Sequence, residues 1–187
     1  MTHLIDEIRN CQQCRLWQKA TNSVPGEGSY KAQLMLIGEA PGYWEDMKGR
    51  PFVGAAGRVL TELLNQINLS REQVFIGNIV KHRPPSNRAP RVDEVRACAP
   101  YLDKQILIIN PQIIVTLGKH ATKYLLSKED IQVDRISQVR GQVFTITLSN
   151  CSFYVMPTFH PAALLYNARL KPEIQQDFLK IQQLLTH

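Results

Sequence analysis

The chain has 187 residues, 44% of them hydrophobic, and a formal net charge of +6 with an isoelectric point near 9.3. That length fits a single domain spanning residues 1–187 with a sizeable buried core. No run is apolar and long enough to cross a bilayer, and the polar start Met1–Asn10 lacks a signal-peptide pattern, so the expectation is a soluble cytoplasmic protein of prokaryotic type with no membrane partner.

Residues Thr2 to Asn10 read as a short amphipathic helix through Ile5 and Ile8, with Thr2 as its N-cap. Gln33 to Ile37 is a buried strand, followed by an acidic turn containing Gly38, Glu39, Gly42, Glu45 and Asp46. Ala55 to Ile67 is a helix, with Val59, Leu60, Leu63, Leu64 and Ile67 at helical spacing. Val74 to Ile79 is a second strand. Val92 to Ile109 is a long helix led in by Asp93 and Glu94, which suit its positive end. Gln112 to Leu117 is a third strand and Gly118 to Leu126 its helix. Val143 to Thr147 and Phe153 to Met156 are two more strands with Asn150 in the turn between them, and Pro172 to Leu185 closes the chain as a helix.

Strands alternating with helices imply a three-layer α/β/α sandwich around a mainly parallel sheet. Ligands in such folds bind at the carboxyl ends of the strands. Three polar segments fall there: Gly38-Glu39-Ala40-Pro41-Gly42, Asn78, and His160-Pro161. Their convergence on one sheet edge points to an active site more strongly than any one of them.

Two further features bear on partners. Lys81, His82, Arg83, Arg88, Arg91 and Arg96 crowd a segment interrupted by Pro84, Pro85 and Pro90. This reads as an ordered basic loop suited to a polyanion such as nucleic acid. Cys11 and Cys14 form a C-x-x-C after a helix, where a thioredoxin-like pair would follow a strand, so metal binding outweighs redox chemistry.

Taken together, "CQQC", "GEAPG", "GRPFVG", "NIVKHRPPSNRAP", "ACAPYL" and "FHPAALL" resemble the family-four uracil-DNA glycosylases, over Cys11 to about Tyr166. The resemblance implies a uracil-DNA glycosylase-like fold and a DNA-repair hydrolase. Its substrate is uracil flipped out of single- or double-stranded DNA, and its products are free uracil and an abasic site. Flipping costs a few kcal/mol of stacking and pairing, which the pocket and a basic face offset.

The same resemblance places residues. Gly38 and Gly42 let the backbone approach the base, with Glu39 and Ala40 beside it. Phe52 stacks on the uracil face, where the plainer reading is core packing. Asn78 reads the pyrimidine edge, since an amide accepts from N3–H and donates to O4; on its own it would pass for a turn residue. His160 is the donor to uracil O2, where negative charge builds as the base departs. His120 is read as a structural histidine. Ala40 stands where the best-known glycosylases carry a water-activating aspartate, which leaves Glu39, Glu45 and Asp46 as candidates to orient water, with Glu39 favoured. Gly42 stands where those enzymes carry a thymine-blocking tyrosine, and Trp44 or Glu45 could take over exclusion. Leu164 matches the leucine wedged into the space left by the flipped base, with Leu165 as the alternative and core burial as the plain reading of both.

The family's usual cluster ligands are four cysteines, the third within "KCRPP"; here "KHRPP" puts His82 in that place. The ligand set becomes Cys11, Cys14, His82 and Cys98, with Cys151 a free thiol. Three cysteines and a histidine suit tetrahedral zinc, and histidine also replaces cysteine on iron-sulfur clusters. A DNA-trapping branch of the superfamily has the same "KH" and keeps a [4Fe-4S] cluster, so that cofactor is favoured over zinc. The alternatives to a hydrolytic monomer are a covalent uracil-DNA trap and a non-catalytic DNA-binding protein. The trapping branch differs in a longer basic insertion carrying its reactive histidine and in a Gln at the position of Ala40.

Overall fold

The computed structural model describes residues 1–186. Its elements in chain order are α1 (Thr2–Arg9), β1 (Glu27–Gly28), β2 (Leu34–Gly38), α2 (Tyr43–Lys48), α3 (Ala55–Gln66), β3 (Phe75–Asn78), α4 (Val92–Ile109), β4 (Ile113–Leu117), α5 (Lys119–Leu126), α6 (Ile136–Val139), β5 (Phe144–Leu148), β6 (Cys151–Thr158), α7 (Ala163–Tyr166) and α8 (Lys171–Leu185), with short 3-10 turns between some of them.

The six strands form one sheet in the order β1-β3-β2-β4-β6-β5. The central four, β3-β2-β4-β6, are parallel. The two edges, β1 and β5, pair antiparallel with their neighbours. All five residues of β2 and all five of β4 are buried, as expected for strands covered on both faces. Alternate side chains serve opposite layers. Met35 and Ile37 of β2 pack with Ile8 of α1, Leu102 and Ile106 of α4, and Leu125 of α5. Leu34 and Leu36 pack with Leu60 and Leu64 of α3 and with Ile174 and Phe178 of α8. The α/β/α sandwich is therefore present, with a core on each side of the sheet. No helix among the described residues is long and apolar enough to cross a membrane.

Several local expectations shift. Thr2 lies inside α1, and Met1 occupies the N-cap position without a side-chain cap bond. The helix runs back to the chain start because Leu4 and Ile8, one turn apart, are its buried stripe; Ile5 is only half-buried. The acidic stretch after β2 is helical as α2, not an irregular turn. Ser149 and Asn150 both have positive φ, the geometry of a two-residue hairpin turn joining β5 to β6. In α4, Glu94 caps the helix by accepting from the Arg91 N–H at 2.7 Å.

Glu94 also explains why the basic loop is less free than its composition suggests. Its side chain is fully buried, and Arg88 grips both of its oxygens at 2.7 and 2.8 Å. Lys81 and His82 are buried. Of the six clustered basic residues, Arg91 and Arg96 remain exposed and Arg83 half-buried.

Candidate functional site

The carboxyl ends of β2, β3 and β6 open on a cavity of about 620 Å³, lined among others by Glu39, Ala40, Phe52, Asn78, His160 and Leu165. The three polar segments expected to converge do so.

Gly38 ends β2 against Asn78 and Phe52, two residues that line this cavity. A Cβ there would lie 2.5 Å from Asn78 Oδ1 and 2.7 Å from Phe52 Cζ. Only hydrogen at this position leaves the aromatic ring and the amide their places. Phe52 has φ 50°, a conformation uncommon for a bulky residue and costly enough to need support. The support comes from residues that sequence reading missed. Arg71 donates to the Phe52 carbonyl at 3.1 Å and to the Pro51 carbonyl at 2.7 Å. Glu27 holds Arg71 in turn, with Arg71 Nε 3.0 Å from its Oε1. Gly57 completes the seat, since a Cβ there would meet the Phe52 carbonyl oxygen at 1.7 Å. Phe52 is buried against the α3 core and also lines the cavity, so the expected core packing leaves part of its ring facing the site.

Asn78 is buried at the end of β3, and its Oδ1 has no hydrogen-bond partner among the described residues; Glu39 Oε1 shares that condition. Leaving buried acceptors unpaired is costly, so both oxygens are prepared for a ligand or water. The backbone carbonyl of Asn78 has a partner. Lys81 Nζ donates to it at 2.8 Å and to Gln105 Oε1 at 2.7 Å. Lys81 is fully buried, and burial pushes its ammonium down to about 8.

His160 stacks on Phe52, with ring centroids 5.5 Å apart. Its Nδ1 accepts from the Ala162 N–H at 3.1 Å. Enclosure lowers its pKa to about 4. At neutral pH the ring is therefore uncharged, and the proton sits on Nε2, leaving a neutral N–H donor at the cavity wall. The strand that delivers it is anchored by Asp177, which accepts from Thr158 at 2.6 Å and from Arg140 at 2.7 Å.

The acidic candidates separate. Asp46 is buried and its Oδ1 accepts from the backbone of Thr21 and Asn22, so it fastens the N-terminal segment. Glu45 Oε1 accepts from the N–H groups of Val53 and Gly54 at 2.8 and 2.9 Å, which starts α3 and fixes the Phe52 loop. A Cβ on Gly42 would lie 2.7 Å from Glu45 Oε2, so Glu45 fills the space a side chain at position 42 would use. Glu39 is the remaining carboxyl, and burial raises its pKa. His120 is not a core histidine: its side chain is 57% exposed, and Nδ1 lies 3.8 Å from Glu39 Oε1.

The two leucines considered for the wedge take different surroundings. Leu164 packs against the α3 and α8 core. Leu165, the next residue of the short helix α7, is exposed and lines the cavity mouth with Tyr166, itself 90% exposed. A one-residue step on a helix turns a side chain through about 100°, enough to exchange core for solvent. Arg83 lies over the Tyr43 ring at 5.1 Å on the same rim.

The four expected metal ligands lie on segments that meet away from this cavity. Cys98 is buried on α4, and its Sγ accepts from the Lys81 N–H at 3.1 Å. Cys11 and Cys14 pack against the same core. A cavity of about 300 Å³ is lined by Cys11, Asn22 and His82, among others. Burial pushes the Cys98 thiol up to about 11 and raises Cys14. No three His, Cys, Asp or Glu side chains among the described residues converge on one ion position. Cys98 is buried and Cys11 and Cys14 are half-buried; three thiols and the buried His82 imidazole are a donor set suited to a metal centre. Cys151 is exposed in the hairpin, away from this set.

Comparison with known proteins agrees with this geometry. Residues 25–185 match the family described as the uracil DNA glycosylase superfamily. The type-4 uracil-DNA glycosylase of Saccharolobus solfataricus is 50% identical over 98% of this chain and 85% of its own length. That of Sulfurisphaera tokodaii is 53% identical over 96% and 82%, respectively. That of Archaeoglobus fulgidus is 44% identical over 97% and 91%. With the sandwich, the strand-end cavity and these relatives in agreement, the chain belongs to the uracil-DNA glycosylase superfamily, in its type-4 or family-four branch.

Proposed function

We propose that the protein excises uracil from DNA, single- or double-stranded, by hydrolysing the N-glycosidic bond, and works as a cytoplasmic monomer. The observation that carries this reading is the unpaired, buried Oδ1 of Asn78, set beside a stacked Phe52 and His160. An acceptor in that place suits uracil N3–H and opposes cytosine, which offers an acceptor at N3. A buried polar pair of this kind discriminates far better than an apolar wall.

The flipped base lies against Phe52. As the bond between N1 and the sugar C1′ breaks, its electron pair leaves with uracil, and the Nε2–H of His160 donates to O2, where charge develops. A neutral donor already aimed at that oxygen needs no proton uptake at the moment of reaction. Glu39 favours the positive sugar and orients the water that adds to C1′, and the proton this water loses passes through solvent to the uracil anion, giving free uracil. Leu165, in place of Leu164, fills the vacated stack, with Tyr166 beside it. Glu45, by occupying the space beside Gly42, is the favoured barrier to the thymine methyl group. A [4Fe-4S] cluster held by Cys11, Cys14, His82 and Cys98 supplies no chemistry to the base in this reading; it clamps the N-terminal segment to the loop after β3 and to α4.

Uracil-containing DNA incubated with the protein and then treated with alkali is expected to break at the uracil position. No protein–DNA adduct should survive boiling in detergent. The loop from Arg83 to Arg91 contains no histidine, cysteine or lysine, and its arginines stay protonated. A uracil-dependent shifted band on a denaturing gel would replace hydrolysis with covalent trapping, and intact DNA would leave a non-catalytic binder.

Asn78→Asp should narrow the preference for uracil over cytosine by on the order of tenfold or more, the cost of one unpaired buried group. The ionised carboxylate only accepts and loses the bond to O4. Equal ratios of excision rates in the variant and the wild type would show that Asn78 does not read the base.

A further inference from the structure

Glu39 forms part of the wall between two cavities. One is the base-sized cavity already described. The other, of about 350 Å³, lies between α4 and α5 and is lined by Ile79, Val95, Arg96, His120 and Lys123, with Glu39 at its boundary. Among the described residues, Glu39 Oε1 has no hydrogen-bond partner, and the nearest basic group to it is His120 Nδ1 at 3.8 Å. His120 is the second residue of α5. The helix starts there because Gly118, with φ +91° and a Cβ position 3.0 Å from His160 Cβ, lets the chain turn tightly behind the catalytic loop. The start of α5 thus lies behind both residues that the reaction uses.

We propose that His120 is a positioning residue for Glu39: set 3.8 Å from its unpartnered Oε1, it holds the carboxyl turned toward the attacking water. The inference rests on the assignment of water orientation to Glu39. The direction of the Glu39 titration supports it, since burial raises it and His120 lowers it. Apart from tyrosines, the other titratable or charged groups lining these two cavities with Glu39 are Lys123 on α5 and Arg96 on α4 in the second, and Glu45 on α2, Arg88 and the neutral His160 in the first. Arg88 is bound to Glu94 and Glu45 to the start of α3. The ionic contact within 4 Å of Glu39 is that of His120.

The sign is fixed. Glu39 has a raised pKa and works ionised, so activity falls as pH drops through that value. Without the His120 charge the value rises further, and the acid limb moves to higher pH. Single-turnover excision should be followed from about pH 4.5 to about pH 8.5 for the wild type, Glu39→Gln, His120→Gln, His120→Lys and the Glu39→Gln/His120→Gln pair. His120→Gln is expected to move the acid limb up by about 0.5–1 pH unit, the effect of one partly solvated charge at this distance. Its rate loss is then about three- to tenfold on the acid side and shrinks as pH rises. His120→Lys restores the limb, and the double variant matches Glu39→Gln. An unmoved limb in His120→Gln, or an equal loss at every pH, overturns the inference while leaving the Glu39 assignment intact. A wild-type limb that persists in Glu39→Gln overturns both.

Discussion

Replacing His160 with alanine should slow uracil excision by roughly 10²–10³-fold, the usual cost of one donor aimed at developing charge, with the fold intact. His160 ends its strand in a loop held independently by Asp177, Thr158 and Arg140, so truncating the ring leaves the backbone anchored. The loss should appear in the single-turnover rate rather than in DNA affinity, because the N–H matters most when the bond is breaking. The pKa near 4 adds a second signature. The wild-type ring stays neutral above about pH 5, so any acid limb in that range belongs to another group. Stability carries the opposite mark. The unfolded histidine titrates at about 6.5, so between that value and the folded value the unfolded state binds more protons. Native stability attributable to this group is then lost as pH falls through that window. His160→Ala should weaken this acid sensitivity while it destroys activity. Wild-type rates in a folded His160→Ala protein would remove the residue from the mechanism.

The parallel core was legible because Leu34–Ile37 and Ile113–Leu117 are short apolar runs bounded by turn residues, and a strand covered on both faces reads in that way. The convergence of Gly38, Asn78 and His160 followed from topology alone, since all three end parallel strands. The seat of Phe52 was not legible. Its support comes from Arg71 and Glu27, which are distant in sequence and have no local signature as a pair. The helical character of α2 was hidden by the glycines and prolines on both sides of it. Leu164 and Leu165 are chemically identical, and only the rotation of a four-residue helix decides which faces the cavity. The arginines of the basic loop looked interchangeable, yet Arg88 is consumed by Glu94, whose burial no periodicity around it announced.

Replacing Cys98 with alanine should cost the protein its iron and most of its folded stability, whereas His82→Cys should keep both. The sulfur of Cys98 sits on α4 against the side of the core that includes Leu102 and Ile106, and removing one buried sulfur would by itself leave a small void worth about 1–2 kcal/mol. The larger loss comes from the clamp. The segment carrying Cys11 and Cys14, the loop carrying His82, and α4 are distant in sequence, and a shared inorganic centre would close those loops in the folded state and not in the unfolded one. Without it, the half-buried Cys11 and Cys14 thiols and the buried His82 imidazole are left with no shared partner, and the N-terminal segment depends on Asp46 and on the Leu4–Ile8 stripe. Cysteine at position 82 supplies a thiolate in the same place, which suits iron as well as imidazole does. Anaerobically purified wild type and His82→Cys should be brown and contain iron and sulfide. Cys98→Ala should be colourless, with an earlier and broader thermal transition. Stoichiometric zinc without iron in the wild type would assign the four ligands to a tetrahedral ion instead. An iron content unchanged in Cys98→Ala would take this cysteine out of the ligand set.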